Sequence, residues 1–158
     1  MTQRIAILGN SGSGKSTLAQ RFARDAGLPV LDLDTIYWVP NQVAVMRDRE
    51  AMLADLHAFC AQPNWILEGC YGDLVAAALA YGPELVLLDP GEDACIAHCR
   101  ARPWEPHKYA SKAAQDEKLA FLLAWVRDYY VRDGEMSLRG HRAVFDAYAG
   151  AKREIGAV

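Results

Sequence analysis

The residue types with the clearest chemical meaning lie at positions 9–17, which read GNSGSGKST. Gly9 is followed, after four residues, by Gly14, Lys15 and Ser16, which fits the pattern G-x-x-x-x-G-K-[ST]. In this pattern the glycines let main-chain N–H groups face phosphate oxygens, the lysine contacts the β- and γ-phosphates, and the serine hydroxyl ligates Mg²⁺. The stretch predicts a triphosphate site, with Lys15 also catalytic, that is formed by Gly9, Asn10, Ser11, Gly12, Ser13, Gly14, Lys15, Ser16 and Thr17.

Two carboxylates, Asp32 and Asp34, alternate in the segment LDLDTIYW. They leave the carboxyl end of a predicted strand beside the phosphate loop, and ligands of open parallel sheets gather at that edge. A carboxylate placed there can accept a hydroxyl proton; the alternative is a pair of exposed loop acids that cap a turn. Tyr37 and Trp38 follow directly, and they either stack on a planar substrate or pack in the interior.

Short apolar runs alternate with helical patterns, and these elements must position the candidate residues. The runs predict strands at Arg4–Leu8, Leu28–Leu33, Trp65–Leu67, Leu85–Leu88 and Lys152–Ile155. Helical spacing predicts helices at Leu18–Ala26, Arg47–Gln62, Leu74–Ala80, Asp93–Arg102, Gln115–Val131 and Leu138–Tyr148. This alternation implies right-handed crossovers, so the fold class is α/β, with a parallel five-stranded sheet and helices on both faces.

Size and composition bound the class of protein. A chain of 158 residues with 52% hydrophobic and 23% charged residues fits one globular domain. The net charge of -3 argues against direct nucleic-acid binding. Because no signal peptide and no membrane-length apolar run is visible, we expect a cytoplasmic protein without a membrane partner. The four cysteines form no C-x-x-C pair, which favours reduced thiols over a metal site.

Beyond the phosphate loop, the order of the motifs resembles that of the small P-loop kinases, the group of nucleoside monophosphate kinases and shikimate kinase. The most detailed likeness is to the adenylate-kinase-related proteins often labelled DNA topology modulation proteins. The residues that carry it are GNSGSGKST, LDLDTIYW, WILEGCYG, ELVLLDP and CRARPWEPHKY. The resemblance implies a P-loop NTPase fold over residues 1–158 as a single kinase-like domain, with a short lid at about 103–114. It also implies ATP and Mg²⁺ as cofactors and a small-molecule acceptor.

The same resemblance assigns roles to four acids. Asp32 would help to hold the hydration shell of Mg²⁺, and Asp34 would bind the acceptor hydroxyl as the candidate catalytic base. Glu68 matches the acid that ends the third strand in nucleoside monophosphate kinases, and Asp89 resembles a Walker B acid. The sequence leaves open which of these acids serves the metal, and Asp89 alternatively begins the next helix.

Cations are concentrated where this family keeps its closing lid, at Arg100, Arg102, His107, Lys108 and Lys112. Cations over the β- and γ-phosphates neutralise developing charge, and the closed lid excludes water. Arg102 precedes Pro103, as in the R-P of shikimate kinase, and is the predicted catalytic cation. Arg100 and Lys108 are the further candidates for nucleotide binding, and the alternative for the whole segment is a solvated surface.

The chain departs from its better-known relatives after the third strand, where it reads EGCYGD. Shikimate kinase has a glycine triplet there, so we do not expect shikimate as the acceptor. Nucleoside monophosphate kinases use arginines in this region to grip a phosphate on the acceptor, whereas this chain has Cys70 and Tyr71. Arg47 and Arg49 are the possible substitutes, with a solvent-facing helix start as the simpler interpretation. The acceptor is therefore expected to lack a phosphate.

Together these features favour an ATP- and Mg²⁺-dependent phosphotransferase that moves the γ-phosphoryl group to a hydroxyl of a small metabolite or nucleoside-like acceptor. The alternative is a regulatory ATP-binding protein or a slow NTPase with a macromolecular partner. Gly150, Lys152 and Arg153 are open candidates for contacts with the base, against ordinary loop and surface roles. The identity of the acceptor and the oligomeric state stay open.

Overall fold

The computed structural model describes residues 2–42 and 44–157, and a five-stranded sheet forms its centre. The strand order is β2-β3-β1-β4-β5, and every neighbouring pair is parallel. The strands are β1 (Arg4–Gly9), β2 (Val30–Asp32), β3 (Trp65–Gly69), β4 (Glu84–Leu88) and β5 (Lys152–Ile155). The helices are α1 (Lys15–Ala26), α2 (Asp34–Tyr37), α3 (Arg49–Cys60), α4 (Gly72–Ala78), α5 (Glu92–Ala101), α6 (Lys112–Asp128) and α7 (Leu138–Ala147).

Apolar side chains on both faces of the sheet form the core. Ile7 of β1 packs in one cluster with Leu18 of α1, whereas Leu8 packs in the other with Leu56 of α3 and Leu74 of α4. Because both faces are covered, the central strands are nearly continuous apolar runs rather than alternating ones. The predicted α/β class with its five-stranded parallel sheet is confirmed. None of the described helices combines the length and apolar character needed to cross a bilayer.

The strand register brings the chemically interesting loops to one edge. Asp32 at the end of β2 pairs with Glu68 of β3, and Leu8 near the end of β1 pairs with Gly69. The segments that follow these three strands therefore start side by side. This edge is the carboxyl end of the parallel strands, where ligands of such sheets bind.

Helix ends differ from the sequence-based bounds where a capping residue acts. α6 begins at Lys112 rather than Gln115 because the Ser111 hydroxyl accepts the Ala114 N–H at 3.0 Å. α3 begins two residues later than predicted because Asp48 caps it by accepting the Ala51 N–H at 3.2 Å. α5 ends at Ala101, since Arg102 precedes a proline and adopts an extended conformation.

The second and third strands also have other bounds than predicted. β2 is shorter at its start because the Leu28 N–H is bonded to Ala23 O at the end of α1, at 3.3 Å. β3 is longer and includes Glu68 and Gly69. The helical turn α2, which was not predicted, starts where the Asp34 N–H donates to Asp32 Oδ1 at 2.9 Å. This turn fixes the geometry between the two acids.

Candidate functional site

A cavity of about 550 Å³ opens at the carboxyl edge of the sheet. It collects predicted site residues from the phosphate loop, from the ends of β2 and β3, and from the segment after α5. Those that line it are Ser11, Gly12, Gly14, Lys15, Ser16, Thr17, Asp32, Asp34, Glu68, Arg102 and Lys108. Residues that are far apart in the sequence thus meet around one space.

The phosphate loop joins β1 to α1 in a conformation that depends on glycine. Gly12 has φ +77°, and a Cβ atom there would lie 2.7 Å from Cys99 Sγ and would also clash with the Cys95 carbonyl oxygen. Gly14, with φ 97°, caps the start of α1. The first N–H groups of a helix lack intrahelical partners and carry the positive end of its dipole. The loop can therefore bind phosphate oxygens with its main chain.

Polar side chains tie this loop to its surroundings. Lys15 Nζ donates to Asn10 O at 2.7 Å, which places its ammonium group inside the loop. Asn10 is itself buried, and its Nδ2 donates to Val126 O of α6 at 3.1 Å. His98 Nδ1 lies 2.6 Å from Gly12 O; because a carbonyl oxygen can only accept, Nδ1 carries the proton. The loop is anchored from both α5 and α6.

Ser16, Glu68 and Asp32 form the polar floor of the cavity. The Ser16 hydroxyl donates to Glu68 Oε1 at 3.1 Å. Burial is the main cause that raises the pKa of Glu68 to about 7. The negative charges of Asp32 and Asp34 act in the same direction, whereas the Lys15 ammonium and the hydrogen bond from Ser16 oppose the increase. Burial and the neighbouring Asp34 also raise the pKa of Asp32. A bound cation would stabilise the ionised form of carboxylates that lie this close together. Hydroxyl and carboxylate oxygens are ligands that suit Mg²⁺.

Asp34 is held by two side chains from distant segments. The Tyr71 hydroxyl donates to Asp34 Oδ1 at 2.5 Å, and Lys108 Nζ lies 2.7 Å from Asp34 Oδ2. Burial alone would raise the pKa of Asp34, but the Lys108 ammonium and the Tyr71 hydroxyl together hold it below its usual value. Asp34 is therefore an ionised hydrogen-bond acceptor with a fixed orientation.

The segment after α5 carries a linked set of charges. Glu105 binds Arg102 Nε with Oε1 at 3.2 Å and Lys108 Nζ with Oε2 at 3.2 Å. The Gln115 side chain accepts the Glu105 N–H at 2.8 Å and donates to Pro103 O at 3.1 Å. One carboxylate thus connects two cations of the cavity lining, Arg102 and the Lys108 that contacts Asp34. Gln115 of α6 holds the segment that carries them in place.

Several predicted site residues lie outside the cavity lining. Asp89 Oδ1 accepts the Gly91 N–H at 3.2 Å and the Tyr130 hydroxyl at 3.1 Å, so its carboxylate stabilises the turn before α5. Arg100 is exposed on α5, and Gly9, Asn10 and Ser13 do not line the cavity. Lys152, one of the open candidates for contacts with the base, pairs with Leu85 near the start of β4, at the edge of the sheet opposite the cavity.

The structure also shows the surroundings of Tyr37, Arg47 and Arg49, for which the sequence left two interpretations open. Tyr37 is 4% exposed, and its ring stacks on Tyr71 at a centroid distance of 4.0 Å, so it packs in the interior rather than facing a ligand. Arg47 pairs with Asp55, at 2.8 Å, and Arg49 pairs with Asp73. Neither arginine lines the cavity. Arg49 is exposed in the first turn of α3, as a solvent-facing helix start predicts, whereas Arg47 precedes α3, is half-buried and donates to Ile36 O at 3.0 Å.

Sequence reasoning missed three residues of this site. The sequence marks Tyr71 only as a departure from relatives, and it assigns no site role to Glu105 or His98. Each acts through a partner far along the chain, respectively Asp34, Lys108 and Gly12. The E-P-H-K order at residues 105–108 is a weak signal for Glu105, because oppositely charged side chains three residues apart in a turn can form an ion pair.

The described residues, 2–42 and 44–157, contain no group of three or more His, Cys, Asp or Glu side chains that could hold a metal ion alone. All four cysteines are free thiols. Mg²⁺ usually keeps several waters and binds one or two protein groups together with substrate phosphates. The donor set around Ser16 fits that mode of binding better than a protein cage.

Comparisons with known proteins establish the fold. No family model and no curated protein sequence matches the chain. Among solved structures, an unliganded sugar kinase from Janibacter sp. HTCC2649 has a TM-score of 0.54 at 16% identity, covering 98% of this chain and 85% of that one. A shikimate kinase from Bacteroides thetaiotaomicron has a TM-score of 0.52 at 23% identity, covering 81% and 80%. A gluconokinase from Sinorhizobium meliloti 1021 has a TM-score of 0.53 at 13% identity, covering 99% and 85%.

These structural neighbours are kinases of the shikimate and gluconate kinase type. At such low identity the likeness shows a shared P-loop kinase fold. The more specific resemblance to the adenylate-kinase-related DNA topology modulation proteins is not confirmed by the comparisons.

Proposed function

We propose that this protein is a P-loop kinase that uses ATP and Mg²⁺ to phosphorylate a hydroxyl group of a small molecule. One observation carries the proposal: the phosphate loop, the Asp32–Asp34 pair and the cations Arg102 and Lys108 line a single cavity. A protein that only binds ATP needs the loop alone. The additional carboxylate and cations provide what transfer to a second molecule requires.

The donor half of the reaction is assigned to the phosphate loop. Lys15 supplies a positive charge to the β- and γ-phosphates, and the main-chain N–H groups of the loop orient them. Ser16 would hold Mg²⁺ directly, while Glu68 and Asp32 would hold its water molecules. Bound there, Mg²⁺ would neutralise charge on the phosphate oxygens. Asp89 is left out of this set because its carboxylate is directed to Gly91 and Tyr130.

The acceptor half is assigned to Asp34. The acceptor oxygen forms a bond to the γ-phosphorus as the bond from that phosphorus to the β–γ bridging oxygen breaks, and ADP leaves with the electron pair. Asp34 accepts the hydrogen bond of the attacking hydroxyl and finally its proton. The loose transition state of phosphoryl transfer needs little base strength, so an orienting carboxylate with a lowered pKa suffices.

The segment 103–114 is proposed as the lid of a single kinase-like domain that spans residues 1–158. Arg102 stands at its start and lines the cavity beside the phosphate loop. From there it can neutralise charge on the transferred group, while the segment keeps water away. Without such exclusion, water would compete as the acceptor.

The site supports a hydroxylated acceptor without a phosphate group. Arg47 and Arg49 are paired elsewhere, and Lys108 is engaged by Asp34 and Glu105. Of the two aromatic residues that could stack on a planar nucleoside-like acceptor, Tyr37 is buried against Tyr71, and Trp38 does not line the cavity. The structural neighbours are named for sugar, shikimate and gluconate, all small hydroxylated molecules. We therefore favour a polyol-like acceptor.

A turnover screen tests the proposal. Mg²⁺–ATP and the protein are incubated with pools of polyols, sugars and nucleosides, and products are detected by the mass gain of one phosphoryl group. We expect a phosphorylated polyol, and we expect Asp34→Asn to reduce its formation about a hundredfold or more. ATP consumption that stays at the hydrolysis level with every pool, and is the same in Asp34→Asn, would instead support a regulatory ATP-binding protein or slow NTPase.

A further inference from the structure

The segment EGCYGD contains the last two residues of β3 and the four that follow, at the place where relatives were expected to grip their acceptor. Here the side chain of Tyr71 points to a carboxylate of the protein itself. Its hydroxyl donates to Asp34 Oδ1 at 2.5 Å, and the indole Nε1 of Trp38 donates to the same hydroxyl oxygen at 2.7 Å. Three side chains therefore form one chain of hydrogen bonds.

The direction of this chain follows from the chemistry of its members. An indole N–H can only donate, so the Tyr71 oxygen must accept from Trp38. An ionised carboxylate can only accept, so the single proton of the Tyr71 hydroxyl is directed to Asp34. Burial and the nearby carboxylate raise the pKa of Tyr71, which keeps this proton on the hydroxyl. These two hydrogen bonds fix the direction in which the Tyr71 hydroxyl donates its proton.

Packing restrains the Tyr71 ring. Tyr71 is 3% exposed, and Tyr37 stacks on it with the rings inclined by only 14°. The main chain is fixed next to it, because His141 Nε2 lies 2.7 Å from Cys70 O and the Tyr71 carbonyl accepts the Val75 N–H of α4 at 3.0 Å. A rigid donor of this kind can hold a carboxylate in one orientation.

Tyr71 does not line the cavity, whereas Asp34 and Lys108 do. We propose that Tyr71 is a positioning residue that engages Asp34 Oδ1 from behind, with Trp38 acting through Tyr71. Asp34 Oδ2, which Lys108 Nζ contacts at 2.7 Å, then faces the acceptor with its remaining lone pair. This inference rests on the proposed kinase function, since only that function gives Asp34 an acceptor to orient. It assigns a task to Tyr71, one of the two residues at which this chain departs from the expected patterns.

Kinetics of phosphoryl transfer test the proposal with three variants. Tyr71→Phe keeps the stacked ring and removes the hydroxyl, and we expect kcat to fall roughly tenfold or more while the KM for ATP stays within about twofold. Trp38→Phe should lower kcat less, and it should add nothing in a Tyr71→Phe background. The matched control is Tyr148→Phe, which removes a hydroxyl bonded to Pro83 O at 2.5 Å, outside the cavity lining.

Three kinetic outcomes would contradict the proposal. A Tyr71→Phe variant with kcat within twofold of the parent would overturn the proposal, and so would independent, multiplying losses from Trp38→Phe and Tyr71→Phe. A fall in kcat for Tyr148→Phe equal to that for Tyr71→Phe would also overturn it, because general destabilisation would then explain both.

Chemical denaturation supplies a readout that does not depend on turnover. We expect Tyr71→Phe to increase the unfolding equilibrium constant about tenfold more in the parent than in an Asp34→Ala background. Equal increases in the two backgrounds would overturn the contact and the proposal with it. A clear difference in a protein that phosphorylates no acceptor would instead overturn the proposed function, and Tyr71 would then hold Asp34 without a part in transfer.

Discussion

The two ends of the cavity are built in different ways. At the phosphate end, a contiguous stretch of nine residues provides both the main-chain donors and the cation, and Lys15 even bonds within its own loop, to Asn10 O. At the end that we propose for the acceptor, called the acceptor end below, the carboxylate of Asp34 depends on Tyr71 after β3 and on Lys108 before α6. The first arrangement is local, whereas the second exists only in the folded chain.

This difference has consequences for substitution. Side chains at the phosphate end act on the ligand largely one by one, so their losses should be nearly independent. Side chains at the acceptor end act on one another, since Glu105 binds Arg102 and Lys108, and Lys108 binds Asp34. Residues in one such network are strongly coupled. Single changes there should disturb several contacts at once.

The largest effect is expected for Lys15→Ala at the phosphate end. Removing the only cation of the loop should lower kcat about a hundredfold to a thousandfold, as for other single groups that stabilise transition-state charge. Steady-state turnover and ATP titration would measure it, with Lys112→Ala, an exposed lysine paired with Asp116, as the control. Unchanged ATP affinity and turnover in Lys15→Ala would show that the phosphate loop takes no part in binding or using ATP.

The acceptor end should also be the more sensitive to acid, because His141 supports Cys70, next to Tyr71. Burial, with smaller contributions from the positive charges of Lys15 and Arg132 and against the hydrogen bond to Cys70 O, lowers the pKa of His141 from 6.5 to about 4. The unfolded chain therefore binds a proton more readily than the folded one. The stabilisation that depends on neutral His141 is fully present above about pH 6.5. As the pH drops towards 4, the free energy of unfolding decreases by on the order of 3 kcal/mol.

Urea unfolding at pH 7 and at pH 5 measures this loss. We expect the decrease in the free energy of unfolding to be smaller in His141→Gln than in the parent, because the variant has no buried imidazole to protonate. His57→Gln, at an exposed histidine, is the control, and its free energy of unfolding should decrease between pH 7 and pH 5 by as much as that of the parent. Identical losses in the parent and in His141→Gln would show that other groups cause the acid sensitivity.

A third comparison uses two arginines that are two positions apart. Arg102 lines the cavity, whereas Arg100 is exposed on α5 and does not. Arg102→Ala should lower kcat roughly tenfold or more because the transferred group loses a charge partner, and Arg100→Ala should change it less than about threefold. Equal losses would indicate that the segment contributes only general positive charge.

How far the sequence predicts this molecule follows the same division. The strand Lys152–Ile155 has the predicted bounds, and Asp32 and Asp34 lie beside the phosphate loop as expected, because periodicity and a contiguous motif encode them. Lys108 was assigned to the nucleotide, yet its ammonium lies 2.7 Å from Asp34 Oδ2. Tyr71 had no assigned role. Such pairings depend on where distant segments meet in the fold, which neither local spacing nor residue type specifies.

The smallest effect, and the one that tests the coupling most directly, is expected for Glu105→Gln. Glu105 is 15% exposed at its side chain and has ion pairs with both Arg102 and Lys108. Two partly exposed pairs together contribute about 1 kcal/mol, so kcat should fall about fivefold. Because Lys108→Met already removes one of the two cations that pair with Glu105, adding Glu105→Gln to it should lower kcat by less than the product of the two single losses. Glu117→Gln on the exposed side of α6 is the control, and full multiplication of the two losses would mean that the acceptor end is no more coupled than the phosphate end.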